Sequence, residues 1–350
     1  MKVCFYTDVH WSQNSSIVRS RGDKYSTRLE NLIASVNWAE DLAFQCGCSA
    51  VICGGDFFDS TELNCEEISA LKEVRWAPIS HVFITGNHES TVKSLEFSTT
   101  EIFNLCPNAV VMHTPQQYFI EGTNGVEFCF LPYITEADRE PLVNYFGVPS
   151  SRRIIFSHND LKDVQYGQFI STEGFSISEI EDNCDLYLNG HIHHCSCVTD
   201  KVINGGNLTG QNFTEDATKF EHCALIIDTD TLKVTFYKNP HALNFYKLNA
   251  TFVDDDIDFK LLLNTLSNNA VSTIKVKASK LEMAKSVLAT LPTDKKLEYR
   301  LLVEQDSIVD SVSTIETLQT DDHLKQFEQY VLSNIGDSDV IREELMNVMR

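Results

Sequence analysis

Five short polar corners carry the residues able to do chemistry. They are Asp8-Val9-His10, Gly54-Gly55-Asp56-Phe57-Phe58-Asp59, Gly86-Asn87-His88-Glu89, Ser157-His158-Asn159 and Gly190-His191-Ile192-His193. Carboxylates, imidazoles and one amide oxygen, with no thiolate among them, make a donor set suited to Mn, Fe or Zn and harder than that of a thiolate zinc finger. The glycines at 54, 55, 86 and 190 let the chain turn sharply into each corner with no side chain in the way. A lone histidine is more often a surface or hydrogen-bonded residue than a ligand. That plainer reading covers His81, His113, His194, His222, His241 and His323. Cys195 and Cys197 lack the paired Cys-x-x-Cys spacing of a zinc site and read as strand residues. The stretch INGGNLTGQNFT reads equally as a turn or as a backbone N–H cradle for phosphate.

Each corner follows a short apolar run, as in KVCFYTDVH, AVICGGDFFD, HVFITGNHE, RIIFSHND and LYLNGHIHH. Such runs bounded by polar or glycine-rich residues are buried strands, and residues just past the carboxyl ends of strands converge on one crevice. Helical stretches lie between several of them, at about Tyr25 to Cys46, Leu63 to Trp76 and Thr135 to Tyr145. From Glu121 the spacing shortens, with strand-like pieces near Phe128, Val198, Ile203, Leu225 and Val234. The expected fold is α/β (α+β): a two-sheet β-sandwich flanked by helices. After residue 244 the pattern becomes helix, strand, helix, strand, a compact α+β unit. Three segments result: 1–244, the unit 245–305, and 306–350, a Ser- and Asp-rich linker followed by short amphipathic helices. In the last of these, Ile341, Leu345 and Val348 share one face.

Composition sets the outer bounds. The chain has 350 residues, 43% of them hydrophobic, with 28 Lys+Arg against 50 Asp+Glu and a net charge of -22. Disorder and fibres are excluded, and the acidic balance argues against a surface that grips nucleic acid all round. Any such contact must be local or supplied by a partner. No apolar run reaches a membrane span, and Asp8 stands where a secretory signal needs its apolar core. Eleven irregularly spaced cysteines resemble buried thiols. A cytoplasmic protein with no membrane contact is expected.

The order of the corners resembles the calcineurin-like metallophosphoesterases, whose D-x-H, G-D-x-x-D, G-N-H-D/E, H and G-H-x-H motifs recur here in sequence. Residue by residue, the resemblance implies one metal held by Asp8, His10, Asp56 and His193, and a second held by Asp56, Asn87, His158 and His191. Asp56 would bridge two divalent ions about 4 Å apart, the clamp that an in-line displacement on a phosphodiester requires. His88 has no metal role in the family pattern and would contact phosphate as general acid. Asp59 resembles the family aspartate that pairs with that histidine.

Within this superfamily, Gly55-Asp56-Phe57-Phe58-Asp59 has the G-D-x-F-D form of the SbcD-type nucleases. The three-part layout is similar, and IETLQTDDHLKQFEQYVL looks like the tail of the recombination nuclease subunit of tailed bacteriophages. The resemblance implies a nuclease using manganese, with magnesium as the alternative ion. It would act as a 3'-to-5' exonuclease on DNA ends and as an endonuclease on single strands and hairpins, in repair, recombination and end processing. The implied partner is an SMC-type, SbcC-like ATPase, with a homodimer of this chain in a 2:2 complex, in the host cytoplasm if phage-encoded. Two basic clusters are candidate DNA contacts. One holds Arg19, Arg21, Lys24 and Arg28; the other holds Lys275, Lys277, Lys280, Lys285, Lys295, Lys296 and Arg300. Ordinary solvated faces are the competing explanation for both. The stripe Ile341, Leu345 and Val348 would dock on the ATPase or fold back on its own chain. Two other functional classes stay open: a stand-alone phosphoesterase for a small nucleotide or phosphoprotein, and a non-catalytic subunit that bridges DNA ends.

Overall fold

The computed structural model describes residues 1–13, 24–91, 94–117, 125–166, 169–219, 221–267, 269–291 and 298–305. In the strand Lys2–Tyr6, Val3 and Phe5 enter one apolar cluster, while Cys4 and Tyr6 enter another. Ala50 and Ile52 of the strand Ala50–Cys53 alternate with Val51 and Cys53 in the same way. The two-residue period of an extended chain thus lets one strand serve two cores. These strands sit inside a six-stranded sheet ordered Lys233–Lys238, Cys223–Asp228, Lys2–Tyr6, Ala50–Cys53, Ser80–Ile84 and Ala109–Met112. Its last four strands run parallel.

A second six-stranded sheet runs Ser196–Cys197, Val202–Asn204, Leu186–Asn189, Arg152–Ser157, Val126–Leu131 and Gln116–Gln117, with its four central strands parallel. Ile154 and Phe156 face the first sheet, whereas Ile155 faces outward. One cluster therefore draws side chains from both sheets, which pack face to face. Helices α1 (Thr27–Gln45) and α2 (Cys65–Leu71) cover the outer face of the first sheet. Helices α3 (Leu142–Phe146) and α4 (Ile177–Asn183) cover that of the second. The protein is the helix-flanked two-sheet sandwich that the sequence pattern calls for.

Two helices are shorter than the periodicity predicts. Asn64 and Glu67 form a capping box that starts α2, but Lys72 already caps its end, and Trp76 packs among Phe57, Phe83 and Phe103 instead. Helix α3 begins only after Pro141, because proline disfavours helical geometry in the residue before it. The preceding stretch is a turn in which Thr135 binds Asp138 and Arg139 binds Glu136.

The α+β unit has its own three-stranded parallel sheet, Asn244–Asn249, Ala270–Lys277 and Glu298–Glu304. Helices α5 (Asp256–Asn264) and α6 (Leu281–Ala289) bury Phe259, Leu263, Ala284 and Val287 against Ile274 and Val276. The strand Asn244–Asn249 is an addition to the expected order of elements. The unit is fastened to the sandwich through the loop before it. Gly210 donates to the Leu243 carbonyl (3.0 Å), Ala217 donates to that of Phe245 (2.6 Å), and the Phe213 ring lies between Phe245 (5.4 Å) and the Arg300 guanidinium (3.9 Å). Residues 1–305 form one compact unit. The linker, the terminal helices and the stripe Ile341, Leu345 and Val348 lie outside the described residues. All eleven cysteines are free thiols. Among the described residues, no helix is long and apolar enough to cross a membrane.

Candidate metal centre

The five corners leave the carboxyl ends of five parallel strands, three in the first sheet and two in the second, and they meet between the sheets. Backbone bonds stitch the first two corners together: Asp8 N–H to the Gly55 carbonyl (3.1 Å) and His10 N–H to that of Asp56 (2.9 Å). Seven described non-glycine residues have positive φ, and four of them are Asp8 (51°), His10 (48°), Asp56 (49°) and His191 (72°). Left-handed backbone costs free energy at such residues, and its concentration here marks a site whose geometry the fold over-determines. Packing is equally tight. A Cβ on Gly86 would lie 2.1 Å from Asp56 Oδ1, and one on Gly55, at φ 99°, would lie 2.2 Å from His158 Nδ1.

The side chains gather into two groups that adjoin at Asp56. In the first, His10 Nε2 lies 3.8 Å from Asp8 Oδ1, 3.8 Å from Asp56 Oδ2 and 3.1 Å from His193 Nε2, with Asp8 Oδ1 3.7 Å from His193 Nε2. In the second, His158 Nε2 lies 3.1 Å from Asp56 Oδ2 and 3.2 Å from Asn87 Oδ1, and His191 Nδ1 lies 2.9 Å from Asn87 Oδ1. The seven residues are thus brought together as the groups Asp8, His10, His193 and Asp56, His158, His191, with Asn87 beside the second, and a third group, His10, Asp56 and His88, overlaps both and brings His88 within reach of the same centre.

Charge shows what the centre can hold. Asp8, His10, Asp56 and His158 are buried to 2% exposure or less. Burial opposes ionisation of Asp56, yet the charge and hydrogen bond of His158, followed by His10 and His88, hold its carboxyl well below the usual range. Burial likewise opposes a charge on His10, but its hydrogen bond to Asp59 and the nearby Asp8 and Asp56 carboxylates raise it to about 10. His158, against Asp56, rises to about 9. Burial instead lowers His193 to about 4. The carboxylates hold protons on imidazoles because they require positive charge nearby. Asp8 Oδ1 is buried with no hydrogen-bond partner, while the Nε2 atoms of His10 and His193 face each other beside it. An orphaned carboxylate oxygen among converging nitrogens fits a divalent cation.

His88 stands at the rim, 43% exposed, its N–H donating to Asp56 Oδ1 (3.0 Å) and its Nδ1–H to the Asp59 carbonyl (3.2 Å). The Asp59 carboxylate is closer to His10 Nδ1 (2.9 Å) than to His88 Nδ1 (3.7 Å), so the histidine it chiefly orients is His10. The basic clusters are dispersed. Lys24 is paired with Glu73, Lys275 with Glu304 (2.6 Å) and Lys285 with Glu282 (2.8 Å), while Lys280 donates to the Asp254 carbonyl. Arg28 is 3% exposed and donates to the Gly210 carbonyl, so it supports a loop from inside the protein rather than forming part of a basic surface. Lys277 is exposed. Arg19, Arg21, Lys295 and Lys296 lie outside the described residues.

The loop INGGNLTGQNFT is a turn. Its N–H groups at Gly205, Asn207, Leu208, Gly210 and Gln211 are all taken by acceptors within the protein. Sequence reasoning gave no role to Glu89, whose oxygens accept from Phe58 N–H (2.9 Å) and Gly86 N–H (2.8 Å) and so brace two corners together. It also passed over Asp160, 3.4 Å from His191 Nε2, and Tyr133, whose ring lies 5.6 Å from that of His191. An acid two residues beyond a ligand histidine was the available signal for Asp160.

The profile of the calcineurin-like phosphoesterase family matches residues 1–195, more than half of the chain. The protein belongs to that family and is a metallophosphoesterase, a hydrolase of phosphoesters with clustered His and Asp ligands for divalent metal. Solved structures similar to it include TT1561 of Thermus thermophilus, at 10% identity and TM-score 0.40, covering 68% of this chain and 98% of that one. A dimetal phosphatase from Danio rerio has 11% identity and TM-score 0.37, covering 68% and 99%. The calcineurin-like phosphoesterase YfkN from Bacillus subtilis has 9% identity and TM-score 0.35, covering 68% and 88%. No curated protein matches the sequence.

Proposed function

We propose that this metallophosphoesterase is a manganese-dependent DNA nuclease, a 3'-to-5' exonuclease and single-strand or hairpin endonuclease that works beside an SMC-type ATPase in end processing. The observation that carries the reading is the open flank of the metal centre. The ligands Asp8, His10, Asp56 and His158 are buried, whereas His88 and Asp59 are 43% and 41% exposed. A diester in a long polymer can therefore reach the proton donor without being engulfed. Asp8, His10, Asp56 and His193 would hold one ion, and Asp56, Asn87, His158 and His191 the other. When bound, such ions supply charge neutralisation at the phosphoryl oxygens and lower the pKa of a water. With Nδ1–H given to the Asp59 carbonyl, His88 in its doubly protonated form carries its second hydrogen on Nε2, and passing that proton to the leaving alkoxide leaves the neutral imidazole. The G-D-x-F-D spelling and the α+β unit fastened behind Asp8 add support. The ATPase, the 2:2 assembly and the cytoplasmic setting rest on the sequence resemblance.

The pairing of Lys275 with Glu304 and of Lys285 with Glu282 favours a second reading, a stand-alone phosphoesterase on a small nucleotide or phosphoprotein, because it neutralises two of the described lysines that would otherwise face a polyanion. Purified protein with manganese, assayed on linear and hairpin DNA, bis-p-nitrophenyl phosphate, nucleotides and phosphopeptide, decides between the two. Cleavage of both DNA substrates is expected. Turnover of small esters with DNA left intact selects the second reading, and inertness toward every substrate overturns both.

A further inference from the structure

The imidazoles of the centre do not all present the same nitrogen. His10 and His158 turn Nε2 toward the carboxylates and give Nδ1–H to fixed acceptors, Asp59 Oδ1 at 2.9 Å and the Gly54 carbonyl at 2.7 Å. His191 is reversed: Nδ1 lies 2.9 Å from Asn87 Oδ1, on the side of Asp56 and His158, and Nε2 lies 3.4 Å from Asp160 Oδ2. A ring that offers its Nδ1 lone pair must keep its hydrogen on Nε2, and Asp160 is the acceptor waiting there. We infer that Asp160 is a positioning residue for the second metal, its carboxylate fixing the tautomer and rotation in which His191 Nδ1 joins Asn87, His158 and Asp56.

Asp160 is held in place by its surroundings. Leu161–Lys162 pairs in parallel with Phe175–Ser176, and Phe175 N–H donates to the Asp160 carbonyl at 3.1 Å. Gly174, at φ 96°, approaches so closely that a Cβ there would lie 2.1 Å from that carbonyl oxygen, and its N–H is tied to Glu136 Oε2 (3.1 Å). The Tyr133 ring, tilted 43° to His191, bears on the same imidazole. The short strand pair after His158 therefore serves to aim one carboxylate. Carboxylates placed behind ligand histidines change metal affinity by about 10- to 100-fold. A contact of 3.4 Å on a side chain 34% exposed places the expected effect near the lower figure.

This inference rests on the two-metal reading, and manganese titration calorimetry on the full chain separates their failures. Wild type should bind two ions. Asp160→Ala should weaken one site about tenfold and leave the other unchanged, and Asp160→Asn, which keeps the shape with a weaker acceptor, should weaken the same site several-fold. Adding Asp160→Ala to His191→Ala should cost nothing further. Equal weakening of both sites, as loss of local structure would give, overturns the inference, as does an unchanged isotherm for either variant. If Asp160→Ala does not fold, the Asp160→Asn isotherm decides. Wild type that binds no manganese overturns the two-metal reading and this inference with it.

Discussion

Replacing Glu89 by glutamine should alter how the stability of the metal-free protein depends on pH. Glu89 is fully buried, and burial followed by the Asp56 charge pushes its carboxyl up to about 8 from an ordinary 4.5. The folded chain therefore keeps a proton that the unfolded chain releases between those values. Stability from this group is full below about pH 4.5 and declines as pH rises toward 8, by about a factor of ten in the folding equilibrium per unit. Glutamine holds no such proton. From about pH 5.5 to about pH 7.5, wild type should lose about 3 kcal/mol relative to Glu89→Gln. At roughly 2 °C per kcal/mol in a unit of this size, the two melting temperatures should diverge by about 6 °C. Thermal melts of both proteins in chelator across that range measure the divergence, and parallel curves would refute the reasoning. Manganese should shrink the gap, because a cation beside Asp56 offsets the charge that helps raise Glu89.

His88→Gln should reduce kcat by about 10²- to 10⁴-fold with manganese binding intact, and a matching loss of metal in calorimetry would remove the proton-transfer role. Gly86→Ala drives a methyl group into Asp56, so it should cost about 1–3 kcal/mol and weaken both ions, since both groups adjoin that residue; an unchanged melt and isotherm would contradict the packing. His10 and His158, raised to about 10 and 9, carry protons at neutral pH without metal. Their stabilising contribution is full below about pH 6.5 and lost as pH rises through those values, and manganese must displace their protons. Titration in weakly buffered solution should show acid release that grows as pH falls from about 9 toward 7, and a silent electrode would count against these ligands.

The ligands were legible because their types and spacing survive in one dimension: each follows an apolar run, and strand ends converge. What could not be read depends on contacts across the chain. Asp59 sits in a motif that suggests His88 as its partner, yet the stitching of Asp8-Val9-His10 onto Gly55-Asp56 brings His10 Nδ1 nearer. Lys275 belongs to a basic run in sequence, but the parallel strand beside it brings Glu304 within an ion pair. Helix α2 was overrun because residues after Lys72 are apolar at helical spacing, while Trp76 finds better burial among aromatic rings than a further turn would give. The sandwich was legible from the short apolar runs and the closer strand spacing after Glu121, whereas the split of Val3 and Phe5 from Cys4 and Tyr6 between two cores shows only in the folded chain.

The loop that carries Phe213 bears on how the chain can be shortened. Gln211 Nε2 donates to the Asp8 carbonyl (3.2 Å), and the same loop is clasped from below by Phe245 and Arg300. Trimming the protein to a minimal hydrolytic fragment that stops before Asn244 would strip away that clasp and slacken the backbone under the first aspartate. The smallest autonomous catalyst is therefore expected to retain the strand Glu298–Glu304, although that strand carries none of the clustered His and Asp residues.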